Sequence, residues 1–200
     1  VVIGAGASGI FAAIHHQFNY SQHRVVIIEK SNDVLAKVKI SGGGRCNVTH
    51  ACFEPNELCE FYPRGNKELR GPFRQFFTQD TIEWFESRGV KLKIESDNRM
   101  FPITDDSQTI IDCLLNEVEN LGVKIWTKCS VNTIKKDGDI FKISLEDGQE
   151  INCKTCILAT GSSRAGYVLA KSLGHSILDP VPSLFTFTWG TLTSINFKKS

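Results

Sequence analysis

Charge of one sign is missing from this 200-residue chain: 23 Lys and Arg stand against 22 Asp and Glu, a net charge of +1. That balance supplies no general attraction to nucleic acid or to an anionic membrane surface, so neither is expected as a partner. Long apolar runs are missing too; nothing approaches the roughly 20 residues of a membrane span. There is no signal-peptide pattern, no internal repeat and no low-complexity tract. The chain opens on strand residues without Met and is read as a piece of a longer protein, so the missing leader excludes little. Seven cysteines (46, 52, 59, 113, 129, 153 and 156) cannot all pair, and their scatter is unlike a disulfide framework. Cys153-x-x-Cys156 has no second Cys or His pair at zinc-ligand spacing. It falls in an extended stretch, where residues three apart face opposite sides, so no metal site is expected.

What is present is concentrated at the start. Residues 1–3 read as the end of a buried strand, and Gly4, Gly6 and Gly9 fill the pattern G-x-G-x-x-G before a helix over residues 7–18. Gly4 permits the strand-to-helix turn, Gly6 lets backbone approach a pyrophosphate, and Gly9 lets helix and strand pack closely. The pyrophosphate sits on the helix N-terminus, where unpaired N–H groups and the helix dipole favour an anion. Residues 24–29 form a second strand ending in Glu29, twenty positions past Gly9. A carboxylate there accepts hydrogen bonds from an adenosine ribose.

An irregular stretch follows over residues 30–64. In it Gly42, Gly43 and Gly44 stand in a row before Arg45, Cys46 and Asn47. Three glycines rule out ordinary helix or strand and let backbone press against something flat or anionic. Helices are expected over 54–61, 66–77 and 80–88, with Asp80 and Glu83 as a reciprocal cap and Gly89 as the stop. A strand over 90–94 precedes a helix capped by Thr104 or Asp105 that runs to Leu121. A strand over 123–127 leads to three extended runs, 130–135, 140–145 and 150–158, separated by Asp137-Gly138 and Asp147-Gly148. They make an antiparallel meander inside an α/β pattern. A helix over 165–173 and a strand over 184–189 complete the reading. The fold class is α/β: a Rossmann-like parallel sheet with a βαβ dinucleotide unit, an antiparallel meander and an incomplete second domain.

That arrangement resembles the glutathione-reductase type of two-dinucleotide-binding flavoproteins, in which an Ala-Thr-Gly turn, here Ala159-Thr160-Gly161, lies beside the first glycine loop. The run Lys39-Ile-Ser-Gly-Gly-Gly-Arg-Cys-Asn-Val-Thr49 narrows it. The chain resembles the BaiN-like FAD-dependent oxidoreductases, also labelled aminoacetone-oxidase-type flavoproteins. Ile82-Glu-Trp-Phe-Glu-Ser-Arg-Gly-Val-Lys-Leu-Lys93, Arg99-Met-Phe-Pro102 and Leu173-Gly-His-Ser-Ile-Leu-Asp-Pro-Val-Pro-Ser-Leu184 resemble that family in order, and Tyr62-Pro-Arg-Gly-Asn-Lys-Glu-Leu-Arg-Gly71 is similar to its plant or algal members. The resemblance implies an FAD-binding domain over residues 1–185 and the start of a truncated inserted domain or tail over 186–200. It implies that Gly4, Gly6, Ala7, Ser8 and Gly9 hold the FAD pyrophosphate and that Glu29 and Lys30 meet the adenosine end. The backbone of Val131 touches adenine. Gly42, Gly43, Gly44, Arg45, Cys46 and Asn47 line the ribityl chain and isoalloxazine, and Ala159, Thr160 and Gly161 close over the cofactor. Two-electron oxidoreduction of a small organic substrate is implied, with NAD(P)H as a possible reductant. The expected compartment is the cytoplasm or the interior of a plastid or mitochondrion.

Two alternatives remain open: an NAD-binding dehydrogenase, because Glu29 suits either ribose, and a non-catalytic or truncated nucleotide-binding scaffold. The second draws on Gly161-Ser-Ser-Arg-Ala-Gly-Tyr167, which is shorter than the family's glycine-rich continuation. No catalytic acid or base is named. Cys46 lacks a nearby partner thiol and reads as packing against the cofactor, and Arg45 reads as a structural or phosphate-side charge. His15 and His16 read as solvated or capping residues. Phe73, Phe76 and Phe77 read as core, as do Trp84, Trp126 and Trp189.

Overall fold

Four short parallel strands, the inner two buried on both faces, position everything else. The computed structural model describes residues 1–62 and 64–180. In chain order, β1 (Val2–Ile3) leads to α1 (Ala7–Asn19), β2 (Val26–Ile28) and α2 (Ala36–Ile40), which runs into a 3-10 turn over Ser41–Gly44. Next come β3 (Thr49–His50), α3 (Pro55–Glu60), α4 (Asn66–Phe73), α5 (Thr78–Glu86), β4 (Leu92–Ile94) and β5 (Arg99–Pro102). Then follow α6 (Ser107–Asn120), β6 (Lys124–Trp126), β7 (Val131–Asp137), β8 (Ile140–Leu145), β9 (Glu150–Cys153), β10 (Ile157–Leu158) and α7 (Arg164–Ser172).

The parallel sheet has the order β10-β1-β2-β6, with Val2 paired to both Ile27 and Ile157, and Ile3 to Ile28 and Leu158. Strand alternation divides the apolar residues between two cores. Val2 and Ile27 point to one face, where they join Ile10, Ala13 and Ile14 of α1 and Ile110, Ile111, Leu114 and Val118 of α6. Ile3, Val26 and Ile28 point to the other face, where they meet Ile134, Ile143 and Leu145 of the β7-β8-β9 meander and Leu169 of α7. A sheet covered on both faces explains why β2 is apolar at every position rather than alternating.

The dinucleotide unit, the meander and the helices form as expected, with several local differences. The extended run at 150–158 is two strands in two sheets: β9 pairs with β8 in the meander, and β10 leaves it to pair with β1. A third sheet, β3-β5-β4, is antiparallel and joins Thr49 to Met100 and Ile94 to Met100 from opposite sides. The helix expected over 66–77 stops at Phe73, one residue after Pro72. α5 starts earlier than expected: Asp80 lies in its first turn and its carboxylate accepts from the Phe77 N–H at 2.9 Å, so Glu83 is not its capping partner. Asp106, not Thr104 or Asp105, caps α6 by accepting from the Gln108 N–H at 2.9 Å. Trp84 is buried, but Trp126 is 39% exposed and is no core residue. Trp189, the strand expected over 184–189 and the domain boundary at 185 lie outside the described residues. None of the described helices is long and apolar enough to cross a membrane.

Candidate functional site

Three strand ends meet at one edge of the parallel sheet. The Gly4 N–H donates to the Ile28 carbonyl, the Ala159 N–H donates to the Ile3 carbonyl, both at 2.8 Å, and Glu29 follows β2 directly. This is the carboxyl edge of the sheet, where open α/β sheets form a ligand crevice as successive strands depart to opposite sides. β1 is that point here, with β2 on one side and β10 on the other.

The glycines at this edge do different jobs. Gly4 has φ +108, and a Cβ there would stand 2.4 Å from the Ala159 carbonyl oxygen. A Cβ on Gly9 would stand 2.0 Å from the Gly4 carbonyl oxygen, so the first turn of α1 packs directly on the loop. A Cβ on Gly6, by contrast, meets nothing within 4 Å. Gly6 is the N-cap of α1, without a side-chain cap and without an acid in the first turn. Ala7 and Ser8 are exposed beside it. The helix therefore presents an open, electropositive mouth, which fits an anionic pyrophosphate.

Glu29 faces this loop. Its Oε2 accepts from the Ala5 N–H at 2.8 Å, and its Oε1 accepts from the Ser31 N–H at 2.9 Å and from the Ser31 hydroxyl at 2.8 Å. Burial works to raise the carboxyl. The Ala5 and Ser31 hydrogen bonds, with the Lys30 charge alongside, outweigh burial and hold the group below its ordinary range. The next peptide of the loop is held as well: the Leu35 N–H donates to the Ala5 carbonyl at 2.8 Å. Leu35 is buried and takes a left-handed conformation, φ +54, to do so. The Cys129 N–H donates to the Glu29 carbonyl and the Lys128 N–H to the Ser31 carbonyl, both at 2.9 Å. These bonds fix the entry to β7, and so Val131, beside Glu29.

The far wall is the turn after β10. Thr160 is packed so tightly on α7 that a Cβ on Gly166 would stand 1.8 Å from its hydroxyl oxygen. Gly161 has φ +58, and the Lys37 ammonium reaches across to donate to the Ser162 hydroxyl at 2.7 Å. The structure thus brings residues 4–9, Glu29, Lys30, Val131 and residues 159–161 to one edge. α2, through Leu35 and Lys37, lies over that edge.

Residues 42–47 continue from α2. Gly42, Gly43 and Gly44 all have positive φ (56, 70 and 87), and Cys46 follows at φ +61. Four left-handed residues out of five form a tight coil that no ordinary side-chain sequence would hold. The coil is anchored on the β3-β5-β4 sheet. A Cβ on Gly42 would stand 2.7 Å from the Phe101 ring, and the Arg45 guanidinium lies 4.0 Å above that ring. Arg45 donates to Glu95 at 2.5 Å and to Asp105 at 3.4 Å, and Lys93 also pairs with Asp105. Arg45 is thus engaged by two carboxylates of the small-sheet region. The Cys46 side chain is 6% exposed within the main core, and burial pushes its thiol up.

Other residues stand differently from the sequence reading. His15 is neither solvated nor a cap: it lies among Phe11, Phe76 and Trp84, its Nε2 buried with no hydrogen-bond partner among the described residues, and burial lowers its pKa. His16 bonds His23, ring nitrogen to ring nitrogen, at 3.0 Å. Phe73, Phe76 and Phe77 are half-buried rather than core. With Asn47, His50 and Tyr62 they line a cleft of about 420 Å³ that sequence reasoning did not find. Their helical spacing was visible, but the early end of α4 turned them into a wall. Among the described residues no group of three or more His, Cys, Asp or Glu is placed to hold a metal ion.

The chain is 31% identical over 191 residues to a 3-dehydro-bile acid delta(4,6)-reductase of Clostridium scindens, covering 92% of this chain and 46% of that protein. It is 29% identical over 197 residues to a ribosomal RNA dihydrouridine synthase of Escherichia coli, covering 94% of this chain and 47% of that protein. The chain thus spans about half the length of the curated relatives it matches. Among solved structures, THI4 of Thermovibrio ammonificans superposes with a TM-score of 0.58 at 13% identity, over 88% of this chain and 62% of that one, a likeness of fold. The family model for the HI0933-like protein Rossmann domain matches residues 1–199, and the chain belongs to that family.

Proposed function

We propose that this chain is the FAD-binding part of a flavin-dependent oxidoreductase. The observation that carries the proposal is the open mouth of α1, where Gly6 has free space in front of it and Glu29 stands beside it. The main-chain N–H groups of residues 6–9 hold the pyrophosphate, and Lys30 and the Val131 backbone flank the adenosine. A carboxylate offers about four acceptor sites. Ala5 and Ser31 fill three of those on Glu29. A ribose diol takes the remaining site and replaces the Ser31 hydroxyl, while the Ala5 bond stays and keeps the loop in place. Thr160 and Gly161 close the crevice, and the coil over residues 42–47 lines the flavin end. When bound, FAD supplies two-electron chemistry on a small organic substrate, and NADH or NADPH is the proposed reductant.

Nucleotide released from the denatured protein, separated by chromatography, tests the reading. FAD is expected; NAD alone would reverse it in favour of a dehydrogenase. Anaerobic mixing with NADH and then NADPH tests the reductant. Bleaching of the flavin band identifies it, whereas a bound flavin that neither nicotinamide nor organic substrate reduces supports a scaffold.

A further inference from the structure

The cleft between β3, α3, α4 and α5 is separate from the dinucleotide crevice but shares a wall with the loop assigned to the flavin. Asn47, the last residue of the glycine-rich coil, lines it, and the chain continues along it through β3 to His50. Facing them are Tyr62, Phe73, Phe76 and Phe77. The Tyr62 and Phe73 rings lie 5.5 Å apart at 56°, and the His50 ring rests 4.4 Å from Phe61. β3 is fastened to α5 by the Thr78 hydroxyl, which donates to the His50 carbonyl at 2.9 Å.

The chemistry of the lining selects its occupant. Among the described residues no Asp, Glu, Lys or Arg lines the cleft. A charged ligand would lose its hydration there without gaining a partner. The Thr78 and Thr81 hydroxyls are spent on the carbonyls of His50 and Phe77. The polar groups left to face a ligand include the Asn47 amide, the His50 imidazole and the Tyr62 hydroxyl, all able to donate to a carbonyl oxygen. Aromatic side chains favour offset or edge contact with a flat ring. The volume, about 420 Å³, falls within the range of small-ligand pockets.

We infer that this cleft is the substrate pocket of the proposed flavoenzyme and takes a neutral, flat, ring-containing compound bearing a carbonyl group. The inference rests on the flavin reading, because Asn47 is the residue common to the coil and the cleft. The ring lies against Phe73, Phe76 and Phe77. The carbonyl oxygen accepts from Asn47 or His50, which sets the carbonyl end of the molecule toward the coil.

Calorimetric titration of the flavin-loaded protein with coumarin, a neutral two-ring carbonyl compound, and with its anionic analogue coumarin-3-carboxylate tests this. Coumarin is expected to bind saturably at one site and the carboxylate at least tenfold more weakly. Tyr62→Ala and Phe73→Ala are each expected to weaken coumarin at least fivefold and to leave flavin absorbance as it is in a Phe18→Ala control on exposed α1 surface. If Phe73→Ala fails to fold, half-exposed Tyr62 still carries the test. Absence of saturable coumarin binding with flavin in place, equal affinity for the anion, or undiminished binding in the variants would overturn the pocket while leaving the flavin reading intact. A protein that takes up no flavin overturns both.

Discussion

The carboxylate of Glu29 accepts a hydrogen bond from the Ala5 N–H at 2.8 Å, so the acid at the end of β2 holds the middle peptide of the glycine loop. The acid thus has two tasks: it shapes the loop that receives the pyrophosphate, and it faces the adenosine ribose. A hydrogen bond to a charged group contributes about 1.5–3 kcal/mol. Glu29→Ala is therefore expected to weaken FAD binding by roughly 10- to 100-fold, measured by flavin fluorescence recovery on dissociation. Glu29→Gln keeps one acceptor oxygen and should lose less.

The same contact sets an acid limit. The folded-state pKa of Glu29 lies below its ordinary value of 4.5. A depressed carboxylate contributes stability that is fully present above the unfolded value and is lost as pH falls through the folded one. Thermal melts recorded downward from pH 5 should show a loss of stability that is smaller in Glu29→Gln. Equal acid dependence in the two proteins would remove Glu29 from the account.

Gly6 and Gly9, three residues apart, should respond unequally to alanine. Gly9→Ala forces a Cβ against the Gly4 carbonyl oxygen and should cost about 2–4 kcal/mol, read by denaturant unfolding. Gly6→Ala has open space and extended backbone, and an alanine N-cap costs under ~1 kcal/mol relative to glycine. Its effect should fall on the ligand rather than on the fold.

How far the sequence reveals the fold follows from how local each signal is. The unit β1-α1-β2 was legible because its turn, helix start and acid lie within thirty residues and each has a distinct residue type. The hairpins of the meander were legible from Asp137-Gly138 and Asp147-Gly148. Of the β3-β5-β4 sheet only β4 was legible, within the strand expected over 90–94; β3 and β5 were not, because they are two and four residues long and Thr49 finds its partner at Met100, far along the chain. The run at 150–158 hid a change of sheet, since an apolar extended sequence reads the same in either. The cleft was missed for a related reason: three phenylalanines at helical spacing look like core until Pro72 ends α4.

Cys156 and Cys46 should be slow to react. The Cys156 thiol is pushed up to about 11 by burial and then by neighbouring Cys153, against the pull of the N-terminal ammonium. At pH 8 only roughly 0.1% of such a group is thiolate, the reactive form. Burial also pushes Cys46 up, less strongly. Iodoacetamide labelling of the folded protein at pH 8, read by peptide mass, should modify Cys156 at least 100-fold more slowly than after denaturation, with the rate rising as pH rises. Rapid labelling of the Cys153–Cys156 pair would restore a redox reading for it.

The central claim is that the mouth of α1 holds the diphosphate of FAD. Calorimetric titration of the flavin-free protein with FAD, compared with the Gly6→Ala variant, tests it most directly. The account predicts tight one-to-one binding to the native protein and at least a tenfold loss in the variant, with the melting temperature lowered by no more than about 4 °C. Undiminished FAD affinity in Gly6→Ala would contradict it.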